Sequence, residues 1–292
     1  MLRPMLADCS DPVACAIALA DKVDYVFHAA ANKQVPMLET QMREALRNNV
    51  VASAVLARAC RDAGVENFVL ISTDKAICPA NVLGASKRFA ELACQAELEG
   101  STVRLSVVRF GNVLDSAGSV VPLFRKQIAA GGPVTVTHPE VTRYFMTIPE
   151  ACQLILHSVG LASENGAVYA LDMGRPVPIR ELAEQMIRLS GKRPGVDIAV
   201  SYTGLRPGEK LHEILFDPQE RYQRTRHPRI LLARPREIAA GQTRALLARL
   251  DALLADPGAH DALTDLLREA VPEYRPEARQ GDDPYPADLK PD

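Results

Sequence analysis

The sequence predicts an α/β fold, a doubly wound parallel sheet with a smaller lobe attached, and three observations carry that prediction. Short runs of apolar and β-branched residues, Phe68-Val69-Leu70-Ile71 the clearest, read as strands covered on both faces. Longer segments of helical periodicity separate them, the pattern of successive βα units. Two of the strands stop abruptly on polar clusters, Ser72-Thr73-Asp74-Lys75 and Gly111-Asn112. Those are the places where an open α/β sheet delivers side chains to a ligand crevice.

Along the chain, residues 4–8 read as a short strand ending in Asp8, 11–19 as a helix and 24–28 as a strong strand. The small side chains of Ala29, Ala30 and Ala31 let backbone approach a bound group, and Asn32 to Pro36 do not continue a helix. Residues 38–63 read as one long amphipathic helix closed by Gly64. Asn49 lies in its middle, where a buried amide needs a partner. After the central strand, Pro79 precedes a helix over 83–99 in which Lys87 lies one turn after Leu83.

A strand over 103–110 ends at Gly111-Asn112-Val113, and 119–131 reads as a helix. Beyond it come a strand over 134–137, a helix over 149–161, a strand over 167–173, a helix over 179–190 and a strand over 198–202. Arg206-Pro207-Gly208-Glu209-Lys210 forms a turn into another helix. Helical patterns at 241–255 and 261–270 carry no chemistry and read as packing or assembly elements. Prolines and charges make 275–292 a flexible tail.

Composition narrows the function. With 292 residues, 47% of them hydrophobic and 24% charged, the chain can bury a large core. A formal charge of −2 gives no support to nucleic-acid binding as the main activity. Cys9, Cys15, Cys60, Cys78, Cys94 and Cys152 show neither CxxC nor Cys/His metal spacing, and read as reduced thiols of a cytoplasmic protein with no metal site. No run approaches the ~20 apolar residues that span a bilayer, so this chain is expected to make no direct membrane contact.

Several motifs follow one another as they do in one family: FHAAANKQVPMLE at 27–39, NNV at 48–50, ISTDKA at 71–76, NVLGASKR at 81–88, VRFGNVLDSAGSVVPLF at 108–124, VTRYFMTIPEA at 141–151 and LRPGEKLHEIL at 205–215. From about Asp8 to about Tyr274 the chain resembles the nucleotide-sugar 4,6-dehydratases of bacterial polysaccharide and glycan biosynthesis, a Rossmann-like branch of the extended short-chain dehydrogenase/reductases. The resemblance implies NAD as cofactor, a UDP-sugar, UDP-N-acetylglucosamine, as substrate, and a homo-oligomer. It implies a partial NAD-binding domain over 1–118, joined by 148–180, a nucleotide-sugar lobe over 119–147 and 181–235, and C-terminal helices over 236–274.

It also implies roles. Asp8 falls at the adenine; Ala29, Ala30, Ala31 and Lys33 line the dinucleotide; Asn49 holds the active-site loop or cofactor. Ser72, Phe110 and Val113 are further cofactor contacts, and Lys87 holds the nicotinamide ribose. Asn112, Ser119, Val120, Arg143, Arg206 and Glu209 fall to the nucleotide sugar, with the planar fork of Arg206 suited to a diphosphate. Lys75 becomes the base that takes the C5 proton and Asp74 the acid that protonates the leaving hydroxyl, so burial is expected to lower the pKa of the first and raise that of the second.

Three departures stand out. Gln34 replaces a usual His. Leu83 stands where most short-chain dehydrogenases carry the Tyr of YxxxK, as in one subgroup, typically long and membrane-anchored, in which the threonine matching Thr73 takes the hydroxyl-proton role. A dinucleotide fold starts with a strand, a glycine-rich turn and a helix, and nothing before residue 4 supplies them. In the strand order 3-2-1-4-5-6, strands 1 and 2 lie between 4–8 and 24–28, so the former has no neighbour and the latter exposes an apolar edge. The chain is therefore expected to lack at least one βαβ unit, on the order of 40 residues. Two rival readings stay open: a nucleotide-sugar 4-epimerase, disfavoured by Asp74-Lys75 and the missing Tyr, and a non-catalytic binding protein, favoured by the missing turn and Leu83.

Overall fold

A computed structural model describes residues 2–161, 165–217 and 219–276. Helix α1 (Pro12–Ala18) opens where the Asp11 side chain accepts the Val13 N–H at 2.8 Å, and β1 (Tyr25–His28) follows. Next come α2 (Val35–Thr40), α3 (Met42–Ala45), a π turn over Leu46–Val51 and α4 (Ala52–Asp62). Strand β2 (Asn67–Ile71) runs into a 3₁₀ turn over Asp74–Ala76, and α5 (Val82–Leu98) begins where the Asn81 side chain accepts the Gly84 N–H at 2.8 Å. Then follow β3 (Arg104–Arg109), β4 (Asn112–Val113), α6 (Val120–Ala129), β5 (Val134–Val136), β6 (Thr142–Arg143), β7 (Phe145–Met146) and α7 (Ile148–Leu161). The order closes with β8 (Ala167–Leu171), β9 (Val177–Pro178), α8 (Ile179–Leu189), β10 (Val200–Tyr202), β11 (Arg221–Arg224), β12 (Ile230–Arg234), α9 (Ala240–Ala255) and α10 (His260–Ala270).

The expected parallel sheet is present. Its order is β1-β2-β3-β8-β12-β11, with the first four strands parallel and the last two antiparallel. β8 is covered on both faces, which is why its sequence is continuously apolar rather than alternating; β3, equally covered, still carries Ser106 and Arg109, the latter paired with Glu91 and Glu220. On one face α5 packs with α9 and α10 through Leu83, Phe89, Leu246, Leu250 and Leu267. On the other, α7 contributes Leu154 to a cluster with Tyr144, Tyr169 and Phe216. The smaller lobe closes around Phe124, Val134, Val136, Ile179, Ile187 and Ile198, drawn from α6, β5, α8 and the chain before β10.

Four expectations are corrected. Residues 4–8 form no strand and are exposed, because no described strand lies beside them to share a hydrogen-bond ladder. β1 is correspondingly an edge, with Tyr25 51% and Phe27 43% exposed. The helix expected over 38–63 starts earlier, at Val35, with Pro36 in the first turn where no N–H is needed. It breaks at Gln41 (φ −130°, ψ 46°) and again in the π turn.

No helix follows Lys210. The Leu211 carbonyl instead accepts the Thr142 N–H at 3.0 Å, and His212 bridges to Thr142, so a neighbouring strand takes the backbone groups a helix would use. Finally, 221–234 belongs to the main sheet as β11 and β12, not to the lobe. All of the expected tail beyond Pro276 lies outside the described residues.

Among the described residues no helix is long and apolar enough to cross a membrane, and no group of three or more His, Cys, Asp or Glu is placed to hold a metal ion. The six cysteines are unpaired thiols.

Candidate active site

A cleft of about 680 Å³ opens between the carboxyl ends of β1, β2 and β3 and the smaller lobe. The sheet side is lined by Ala29, Ala31 and Lys33 after β1, by Ser72, Thr73 and Lys75 after β2, and by Phe110, Asn112 and Val113 after β3. Leu83 and Lys87 look in from α5. The lobe side presents Ser119, Val120, Arg143, Arg206 and Glu209. Four of the residues singled out from the sequence do not line it. Asp8 lies on the exposed segment before α1, and Ala30 is exposed. Asn49 and Asp74 are buried behind the wall.

The π turn explains Asn49. One extra residue in the turn brings two consecutive amides to bear on the loop after β1, and such turns recur at functional sites. The Asn48 and Asn49 side-chain oxygens accept the Asn32 N–H at 3.0 and 2.8 Å, while Asn49 Nδ2 donates to the Asn32 carbonyl and to Ser86 Oγ, both at 3.0 Å. Asn49 therefore fastens the 29–33 loop to α5 and does not itself face the cleft.

Ser72-Thr73-Asp74-Lys75 continues β2 past its last full strand position. Ser72 N–H donates to the Val108 carbonyl at 2.8 Å and Asp74 N–H to the Phe110 carbonyl at 3.0 Å. Asp74 Oδ1 accepts the Thr73 hydroxyl at 2.9 Å and the Lys75 ammonium at 3.1 Å. Lys75 Nζ also lies 3.4 Å from Asn112 Oδ1 and 3.4 Å from Glu213 Oε1. Arg143 donates to Glu209 at 2.9 Å and lies 3.7 Å from Glu213. Glu213 was not singled out from the sequence because LHEIL reads as an ordinary helical stretch. The signal available was its place four residues after Glu209 in the same motif.

The electrostatics follow from this packing. Burial holds Asp74 above the usual carboxylate range, with Lys75 opposing and Glu213 reinforcing the shift. Burial alone would lower Lys75, but Asp74 and Glu213 outweigh it and the lysine is raised, opposite to the expectation from sequence. Burial also acts to raise Glu213, yet Lys75, Arg143 and Lys210 hold it below its ordinary value. Lys87 is different. Burial pushes its ammonium down to about 8, and no carboxylate among the described residues stands within ion-pair distance.

Two glycines let these groups approach. A Cβ on Gly84 would stand 2.0 Å from the Lys75 carbonyl oxygen, and one on Gly111 2.8 Å from Asp74 Oδ2. Backbone blocks the first position, so α5 would have to move away from the 3₁₀ turn. Gly84→Ala is expected to lower stability by about 1–3 kcal/mol and to displace Lys75. Thermal unfolding checks this; a variant with wild-type stability would contradict it.

The description "polysaccharide biosynthesis protein" belongs to the family model that matches residues 1–235. Among curated relatives, the capsular polysaccharide biosynthesis protein CapD of Staphylococcus aureus is 50% identical over 219 residues, 74% of this chain. The chain spans 36% of that relative's length. Among solved structures, Pen from Bacillus thuringiensis superposes with a TM-score of 0.71 at 28% identity, over 85% of this chain and 81% of Pen. A DesIV double mutant from Streptomyces venezuelae, a dTDP-glucose 4,6-dehydratase with NAD and DAU bound, shares the fold with a TM-score of 0.64 at 21% identity, over 72% of this chain and 70% of that one. The chain belongs to the polysaccharide biosynthesis protein family, and its parallel sheet is that of a Rossmann-like fold.

Proposed function

We propose that this chain carries the catalytic site of an NAD-dependent lyase that dehydrates UDP-N-acetylglucosamine to its 4-keto-6-deoxy sugar. The observation that carries the reading is the hydrogen-bonded pair of Lys75 and Asp74, 3.1 Å apart at the carboxyl edge of the sheet and beside Thr73. Elimination across C5 and C6 needs a base and an acid held together. A 4-epimerase needs neither, so the pair favours dehydration over the epimerase reading.

The residues present fit the nicotinamide end of the cofactor. Ala29, Ala31, Phe110 and Val113 line the cleft and would hold the nicotinamide, and Lys87, a buried ammonium with no ion-pair partner among the described residues, would meet the ribose hydroxyls. No glycine-rich turn at a helix N-terminus is present among the described residues to meet a pyrophosphate, and Asp8 is exposed. When bound, NAD⁺ supplies reversible hydride storage, which makes a C4 carbonyl available beside C5.

The chain's own groups do the rest. Thr73 Oγ1 takes up the C4 hydroxyl proton as it passes its own hydroxyl proton on through a water to solvent, since Leu83 can do no acid–base work. Lys75 in its neutral form takes the C5 proton, and Asp74 in its acid form gives a proton to the departing C6 hydroxyl. Arg206 and Arg143 meet the diphosphate and sugar. Ser119 Oγ, buried without a hydrogen-bond partner among the described residues, aligns the sugar nucleotide.

The test is incubation of the chain with NAD⁺ and UDP-N-acetylglucosamine, followed by mass spectrometry. A nucleotide sugar lighter by one water is expected. A C4 epimer of unchanged mass would move the assignment to epimerase, and no product from a chain that binds NAD⁺ would overturn both enzyme readings.

A further inference from the structure

Beside the cleft lies one carboxylate more than the acid–base reading uses. Glu209 is engaged by Arg143 at 2.9 Å and by the Thr137 hydroxyl at 3.0 Å. Asp74 takes the Thr73 hydroxyl and the Lys75 ammonium on one oxygen, and its Oδ2 is buried with no hydrogen-bond partner among the described residues. Glu213, 4% exposed, faces the same ammonium from the opposite chain segment, Oε1 to Nζ 3.4 Å, and its Oε2 is likewise unpartnered.

A dry site tolerates charges only in balanced sets. Lys75 is the base in its neutral form and becomes an ammonium on taking the C5 proton; were Asp74 the sole carboxylate beside it, ionising Asp74 would balance that charge, and an ionised Asp74 has no proton to give. We propose that Glu213 is a positioning residue for the reaction: it stands as the resident counter-ion of Lys75 and thereby leaves the catalytic proton on Asp74. The proposal rests on the acid–base assignment made above.

The charges facing this group from each packed element agree with it. The 3₁₀ turn brings Lys75 and Asp74, β6 brings Arg143, and Glu213's own loop brings Lys210 and Glu209. Lys210 is held by the carbonyls of Ile77 and Cys78 at 3.2 and 2.9 Å. Lys210 forms no ion pair with these carboxyls among the described residues; of the two cations that do, Arg143 is matched by Glu209 and Lys75 by Glu213, and Asp74 is the carboxyl with no cation of its own. The opposite shifts of the two carboxyls, Asp74 upward and Glu213 downward, have the same sense. Gly111 fits the assignment too, because the absent Cβ leaves the cleft wall thin over Asp74 Oδ2.

The experiment is infrared spectroscopy of the chain with isotope-labelled aspartate carboxyls. The wild type is expected to show a buried protonated-carboxyl band at neutral pH that Asp74→Asn removes. Glu213→Gln, nearly isosteric, is expected to remove the same band or to move its disappearance at least about one pH unit lower, a tenfold change in proton affinity. Turnover of Glu213→Gln is expected to fall by roughly 10²-fold with KM for the nucleotide sugar unchanged, and the alkaline limb of its pH profile to move to lower pH. Glu213→Asp keeps an anion beside Lys75 and keeps the band.

A band that persists unchanged in Glu213→Gln, or that is lost in Glu213→Asp as well, as it would be if the residue served packing alone, overturns the proposal. The band needs no turnover. If it responds as expected while the wild type dehydrates nothing, the link between Glu213 and Asp74 stands and the proposed function is what fails.

Discussion

Lys75→Ala and Asp74→Asn each lower turnover by roughly 10²–10⁴-fold while NAD⁺ binding is retained. The size follows from what the proposed reaction asks of each group: one would remove a proton from carbon and the other would convert a poor leaving group into water. Asp74→Asn keeps shape and burial and loses only the acid, so its unfolding temperature should match the wild type. Lys75→Ala also removes the cation that Asp74 and Glu213 share at 3.1 and 3.4 Å, so it should lose stability as well. Single-turnover kinetics with a cofactor-binding control separates these effects, and full activity in either variant would remove the pair from the mechanism.

Glu91→Gln costs roughly 3–5 kcal/mol of stability, the largest loss expected from a single isosteric change here. Glu91 is fully buried on α5 and accepts from both guanidiniums flanking it, Arg88 at 3.0 Å and Arg109 at 2.8 and 2.6 Å, as well as from Ser72 Oγ at 2.6 Å. Burial alone would raise its carboxyl, but Arg109 above all holds it down to about 2. A carboxylate so depressed contributes stability that is fully present above its unfolded value of about 4.5 and is lost as pH falls through about 2. Urea unfolding at pH 7 and again between pH 4 and 2 checks both halves. The variant should be weaker at neutrality and should lose less on acidification than the wild type does.

Much of this architecture is legible without coordinates because its causes are local. A strand buried on both faces is largely apolar, which marks 68–71 and 167–171 by composition alone, whereas 104–109 carries Ser106 and Arg109 among its buried residues. The polar residues that end such strands have one place to go, so Thr73, Lys75 and Asn112 reach the cleft together. What stayed hidden depends on distant partners. The π turn differs from an α-helix by one residue, which apolar periodicity cannot resolve, and its purpose lies in the Asn32 backbone.

β11 carries Arg-Tyr-Gln-Arg and reads as a charged loop until β12 is there to pair with it. The sense of the Lys75 shift is not legible in the sequence because Asp74 and Glu213 together outweigh burial, and Glu213 lies 138 positions away in the chain.

The buried arginine of α5 has a practical consequence at the other end of the polypeptide. Arg88 donates to the Arg236 carbonyl at 2.6 Å and to Glu273 at 3.2 Å, Glu273 is also held by Arg236, and the Arg275 N–H donates to the Pro79 carbonyl at 2.8 Å. The helix that carries Lys87 is thus buttoned down by residues lying past the last helix. A truncation after α10 that looks harmless by secondary structure would unbutton it, whereas an affinity tag joined beyond Pro276 leaves every one of these fastenings in place.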